Sequence, residues 1–151
     1  MKAPIQFAHS NGFGFETYRH FFSYLKDYEI KGVELMGHNE YSVVPNWKPL
    51  GEELIRHIEK NQTIPVIGIG HSLGGAALLY AVEARPDLFQ QIIFLDPPLF
   101  NPFKRTVMNV IKKMGWYDKI APSGMARVRR QYFLSKEEAY KYFKNKKLFE
   151  P

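Results

Sequence analysis

Cysteine is absent from this chain of 151 residues. Its absence excludes disulfide bonds, thiolate metal sites and cysteine nucleophiles together. No apolar stretch is long enough to cross a bilayer, and Met1-Lys2-Ala3-Pro4 leads almost directly into a strand pattern without the apolar core of a signal peptide. A soluble, unprocessed, cytoplasmic protein with no membrane contact is the expectation. Internal repeats, low-complexity segments and recognisable nucleic-acid motifs are also missing. That last absence matters because the net charge is +6 and unevenly placed. Residues 1–100 hold 8 Lys/Arg against 11 Asp/Glu, whereas residues 101–151 hold 13 against 4. The basic residues of the second part lie among apolar positions at helical spacing. They read as the solvated face of a helical segment, with no nucleic-acid partner.

The most informative stretch runs from Ile64 to Ala84. An apolar run ends abruptly at Gly70-His71-Ser72-Leu73-Gly74-Gly75, and an alanine-rich helical pattern starts at once. A serine on such a strand-to-helix turn takes a strained backbone conformation and projects its oxygen above the sheet. The residues two before and two after it must be nearly free of side chain, because strand, turn and helix crowd there. Gly70 and Gly74 meet that need around Ser72. The alternative reading is a tight glycine turn in which Ser72 only caps the helix.

Before this turn, Pro4–Ala8 reads as a short strand that ends in the polar loop His9-Ser10-Asn11-Gly12-Phe13-Gly14, where backbone N–H groups can point at a ligand. Thr17 is expected to cap a helix presenting Tyr18, Phe21, Phe22 and Leu25 on its core face, with His20 off that stripe. Glu29–Met36 reads as a second strand, followed by the turn Gly37-His38-Asn39 and an irregular stretch through Pro45 and Pro49. A helix over about 50–61 buries Leu50, Leu54, Ile55 and Ile58 and carries a structural or exposed His57. Beyond the serine turn, a helix runs to about Ala84, and Gln91–Leu95 forms a fourth strand ending in Asp96-Pro97-Pro98. Alternation of strand and helix with near-continuous apolar strands predicts an α/β fold with a parallel, doubly wound sheet over residues 1–100. Residues 101–151 read as helices only, over 104–114, 126–133 and from Ser135, where Ser135-Lys136-Glu137-Glu138 has the form of a capping box ahead of Ala139, Tyr142 and Phe143.

Taken together, these motifs resemble the α/β-hydrolase superfamily, in particular members with a helical cap inserted after the strand ending in Asp96. His9-Ser10-Asn11-Gly12 is similar to the family's oxyanion loop, and Glu34-Leu35-Met36-Gly37-His38-Asn39 to its Asp-Leu-x-Gly-His-Gly loop with two substitutions. The turn at Ser72 is similar to its nucleophile elbow, Ile93-Phe94-Leu95-Asp96-Pro97-Pro98 to the strand before the cap, and Ser135–Pro151 to the opening of the cap. The resemblance implies that Ser72 attacks a carbonyl carbon and that the Leu73 N–H is one oxyanion donor. It implies a second donor in the first loop, the N–H of Asn11 by position in the motif, with Ser10 as the alternative. His9, Ser10, Gly12 and His71 line the site on this reading, and Asp96 is a candidate for the acid. No metal or organic cofactor is implied. The expected substrate is a small-molecule carboxylic ester or a related acyl compound.

A histidine after the serine is the missing part. The fold's triad runs serine, acid, histidine, yet His9, His20, His38, His57 and His71 all precede Ser72. Without a further strand, Ile92-Ile93-Phe94-Leu95 is a flat apolar sheet edge of a kind soluble proteins avoid. The expectation is therefore a longer parent that supplies another strand and the histidine. The competing expectation is a non-catalytic hydrolase fold that binds a ligand or self-associates through the exposed strand. Dinucleotide binding, suggested by Gly68-Ile69-Gly70, fails because Leu73 stands where the third glycine belongs.

Overall fold

The computed structural model describes residues 2–38, 46–98, 130 and 132–144. The chain divides into two compact units, Met1–Leu99 and Phe100–Pro151.

In the first unit four strands form one parallel sheet: β1 (Ile5–Ala8), β2 (Ile30–Gly32), β3 (Val66–His71) and β4 (Phe89–Leu95). Their spatial order is β2-β1-β3-β4. Ala8 lies opposite Gly70, and His71 opposite Leu95, so the C-terminal ends of β1, β3 and β4 come out along one edge. The order changes direction between β1 and β3, which opens a crevice between the loops that follow them.

Side-chain alternation along β1 sends Ile5 and Phe7 to one face and Gln6 and Ala8 to the other. Ile5, Phe7 and Ile69 are buried under Phe15, Tyr18, Phe22 and Leu25, which belong to a 3-10 turn (Phe15–Tyr18), the short helix α1 (Arg19–Phe22) and the residues after it. On the opposite face α2 (Lys48–Asn61) and α3 (Leu73–Ala84) cover the sheet with Leu50, Leu54, Ala77, Leu78 and Ala81. Helices thus lie on both faces, as the sequence pattern requires. The two helices pack closely because Gly51 has no side chain: a Cβ there would stand 2.7 Å from Tyr80 Cβ.

Several boundaries differ from the sequence reading, among them β4, which begins at Phe89 rather than Gln91. Thr17 does not cap a helix; its N–H donates to Gly14 O at 2.9 Å inside the 3-10 turn, and α1 begins only at Arg19. β2 covers Ile30–Gly32 and stops well before Met36. Beyond Gly32 the backbone groups leave the ladder for other partners, Glu34 O accepting from Phe15 N–H and Met36 N–H donating to the His9 ring. α2 starts earlier than expected, at Lys48, and takes Pro49 into its first turn, where a missing N–H costs nothing.

β4 is an edge strand, and Ile92 and Ile93 are each 36% exposed on it. In the second unit the described helix α4 (Lys136–Lys144) has the cap expected of its sequence. The Glu138 N–H donates to Ser135 Oγ at 3.1 Å, and the Glu138 carboxylate accepts from Leu134 N–H at 2.7 Å. Tyr142 and Phe143 pack against Phe133. The helix expected over 104–114 lies outside the described residues, as do residues 126–129 and 131 of the next one; Tyr132 and Phe133 are not helical. No helix among the described residues is long and apolar enough to cross a membrane.

One polar pair is buried between sheet and helix. Gln6, fully buried on β1, accepts a hydrogen bond from His57 Nδ1–H of α2 at 2.9 Å. Burial holds the His57 pKa below its ordinary 6.5, reinforced by Lys31 and Lys60 and partly offset by Glu53. The fold therefore prefers the neutral ring, and as pH falls below 6.5 the unfolded chain takes up the proton first. Stability is complete above that pH and is lost as pH falls toward the folded-state value. Denaturant unfolding at pH 7.5 and pH 5 should show a smaller loss in His57→Gln than in the parent; equal losses would contradict this account.

Candidate active site

Two loops meet at the C-terminal edge of the sheet. The first, residues 9–14, follows β1; the second is the turn between β3 and α3. Gly74 explains why they are close. A Cβ at Gly74 would lie 2.0 Å from Ala8 O and 2.7 Å from His9 O, so the first turn of α3 rests directly on the backbone leaving β1. Gly70 is equally constrained, since its Cβ would stand 2.7 Å from Gly74 O and from Gly75 Cα. Both glycines required by the spacing are required by the packing.

Between them Ser72 has φ 50° and ψ −118°, a conformation that non-glycine residues hold only under strain. Its N–H donates to Leu95 O at 2.9 Å, which fastens the turn to the end of β4. The Ser72 side chain makes no capping hydrogen bond to α3. The cap reading of this serine therefore fails, and its Oγ has no partner among the described residues. Leu73 is the first residue of α3, so its N–H has no acceptor within the helix and sits at the positive end of the helix dipole.

The first loop is held from several sides. His9 is buried, and its Nδ1–H donates to Ser10 O at 2.8 Å while its Nε2 accepts the Met36 N–H at 2.8 Å. With both nitrogens engaged, the His9 ring is fixed in one neutral tautomer and has no lone pair left to act as a base. The Met36 turn is fixed in its own right: Gly37, at φ 82°, donates its N–H to Oε2 of the buried Glu53 at 3.0 Å. The Ser10 N–H donates to the Tyr18 hydroxyl at 3.1 Å. Phe13 N–H donates back to Ser10 O, and Gly12 turns the chain at φ 78°. Asn11 is exposed, and its N–H has no acceptor among the described residues.

The structure thus separates the two candidate donors of this loop. The Ser10 N–H is consumed by Tyr18, whereas the Asn11 N–H is not consumed among the described residues. The remaining candidates are placed as follows. His71, half-buried beside Ser72, has its Nδ1 2.7 Å from the Tyr18 hydroxyl. Asp96 is exposed at the end of β4 with φ 45°, and no described residue pairs with its carboxylate. His20 is exposed against Tyr24, and His38 is exposed beyond Gly37. Among the described residues no group of three His, Cys, Asp or Glu side chains could hold a metal ion.

Tyr18 and Glu53 support the site in ways that sequence periodicity does not reveal. Tyr18 falls on an apolar helical stripe, and the signal is its hydroxyl, which needs a partner once the ring is buried. Glu53 falls on the inward face of α2, where an acidic side chain is out of place unless something holds it.

No protein-family model matches the chain. A Mycoplasma pneumoniae protein that carries the provisional name esterase/lipase 3 is 27% identical over 154 residues, spanning 99% of this chain and 48% of that protein. A type I acyl-CoA thioesterase of Penicillium brevicompactum is 29% identical over 102 residues, spanning 61% of this chain and 24% of that protein. The chain therefore spans about half the length of one of these relatives and about a quarter of the other. Among solved structures, an extracellular α/β-hydrolase from a Paenibacillus species superposes with a TM-score of 0.55 at 16% identity, over 78% of this chain and 54% of that one. This chain has the α/β-hydrolase fold.

The strain at Ser72 has a measurable consequence. Glycine relieves it and alanine does not, so Ser72→Gly is expected to be more stable than Ser72→Ala by about 1 kcal/mol in urea unfolding. An alanine variant as stable as the glycine variant would show that the turn is unstrained.

Proposed function

We propose that this chain carries the nucleophile and oxyanion side of a serine hydrolase that cleaves carboxylic esters or related acyl compounds. One observation carries the reading. Ser72 is held at φ 50° between two glycines where a Cβ would run into neighbouring backbone, with an Oγ that neither caps α3 nor bonds to any described residue. A strained, unengaged serine at a helix N-terminus is what acyl transfer needs and what a helix cap does not need. The esterase and thioesterase names of the two relatives agree with an acyl substrate.

In the proposed reaction Ser72 Oγ adds to the carbonyl carbon as its proton passes to a base. Negative charge gathers on the former carbonyl oxygen, where the N–H groups of Leu73 and Asn11 stabilise it. One such donor is worth about 3 kcal/mol in the transition state. Collapse expels the alcohol, which takes the proton, and water then releases the acid from the acyl-enzyme. Three histidines are not free to serve as that base: His9 has both nitrogens engaged, His57 is bonded to Gln6, and His71 is bonded to Tyr18. Asp96, at the catalytic edge of β4, is the candidate acid.

A second reading rests on the exposed β4 edge with Ile92 and Ile93. There the fold binds a ligand or pairs with another copy through β4 and turns nothing over. One experiment tells the two apart. Protein produced at its full encoded length should release a burst of alcohol from an activated ester and react with a fluorophosphonate at one site. Ser72→Ala should lose both, with a fall in rate of at least about a thousandfold. A burst that persists in Ser72→Ala removes the proposal, while absent labelling together with association that grows with concentration supports the second reading.

A further inference from the structure

Tyr18 is the place where the two loops of the site are joined by one atom. It lies in the 3-10 turn on the α1 face of the sheet, and its ring packs 4.6 Å from that of Phe7 and 5.7 Å from that of His71. Its oxygen accepts the Ser10 N–H at 3.1 Å and stands 2.7 Å from His71 Nδ1. An oxygen that already accepts from a backbone N–H places its own proton best on an acceptor. The arrangement that uses the phenol's own proton is donation to His71 Nδ1, which leaves the ring hydrogen on Nε2. Burial raises the Tyr18 pKa, which keeps this proton in place.

We propose that Tyr18 is a positioning residue for the acyl-transfer site, a bridge that sets the distance between the first loop and the serine turn. The inference rests on the reading of Ser72 as nucleophile. By taking the Ser10 N–H, the hydroxyl fixes the His9–Ser10 peptide, next to the one that carries the Asn11 N–H, and that N–H has no acceptor among the described residues. By donating to His71, it fixes the residue next to Ser72. It also keeps His71 from serving as the base, since one ring nitrogen accepts from Tyr18 and the other carries a hydrogen. The two oxyanion donors sit on separate loops, so their spacing is only as exact as the connection between those loops. Hydrogen bonds aimed at a developing charge lose most of their value when misplaced by about 1 Å.

Tyr18→Phe removes the bridge and keeps the ring against Phe7 and Phe22. In the protein at its full encoded length, the acylation rate constant should fall about 10- to 100-fold with KM unchanged. His71→Leu removes the other end of the bridge and should lower the same constant. The double variant should fall no further than the lower single one, because both lose the same connection. In parallel, ring nitrogen NMR should show His71 bearing its hydrogen on Nε2 in the parent and a mixture of tautomers in Tyr18→Phe. Amide exchange at Ser10 should also become faster. Unchanged ring and amide signals would overturn the bridge. So would an acylation rate that holds while those signals change, or losses that add in the double variant. A parent protein that shows no acylation would instead remove the Ser72 reading and the positioning role with it, while the ring and amide signals would still report whether the bridge exists.

Discussion

The site depends on one close approach, that of the first turn of α3 to the backbone leaving β1. Gly74 sits so near Ala8 and His9 that a single methyl group would overlap the Ala8 carbonyl. Because β1 and β3 are neighbours in register, this contact brings the loop after β1 beside the turn after β3. Every other feature of the site is built onto that contact: the strain at Ser72, the free N–H of Leu73 and the bridge from Ser10 through Tyr18 to His71. A larger residue at position 74 would push the helix away and separate the N–H groups of Leu73 and Asn11, whatever else the sequence kept.

Around this contact the first loop is held by polar groups that are individually modest and collectively restrictive. His9 links Ser10 to Met36, and Glu53 links the Met36 turn to α2. The buried His9 ring and the buried Glu53 carboxylate each have a partner, as burial demands. The result is a loop whose backbone is held by several elements and whose Asn11 N–H has no acceptor among the described residues. A rigid loop with a free donor is suited to stabilise charge that exists only in a transition state, since no reorganisation is needed when that charge forms.

Much of this was legible in the residues. The Gly-x-Ser-x-Gly spacing, set between an apolar run and an alanine-rich helix, located the strained turn, and the alternation of strands and helices gave the parallel sheet. Helical periodicity found the buried face of α2, with Leu50, Leu54 and Ile58. What stayed hidden were partnerships between distant residues. Nothing local marks Tyr18 as a partner of His71, 53 positions away, or Gln6 as a partner of His57. The short β2 was hidden for the same reason: residues 33–36 have the apolar character of a strand, but their backbone groups find partners in Phe15 and His9 that a linear reading does not place nearby. Thr17 had the right chemistry for a cap, and the chain placed it inside a 3-10 turn instead.

The central claim is that the crevice between these two loops binds an oxyanion formed on Ser72. A crystal structure of the protein after reaction with a fluorophosphonate tests it most directly. The account predicts phosphorus bonded to Ser72 Oγ, with one phosphoryl oxygen about 2.7–3.1 Å from both the Leu73 and Asn11 nitrogens. The Ser10 N–H should still be on Tyr18. An adduct on another residue, or a phosphoryl oxygen turned away from both N–H groups, would contradict the account.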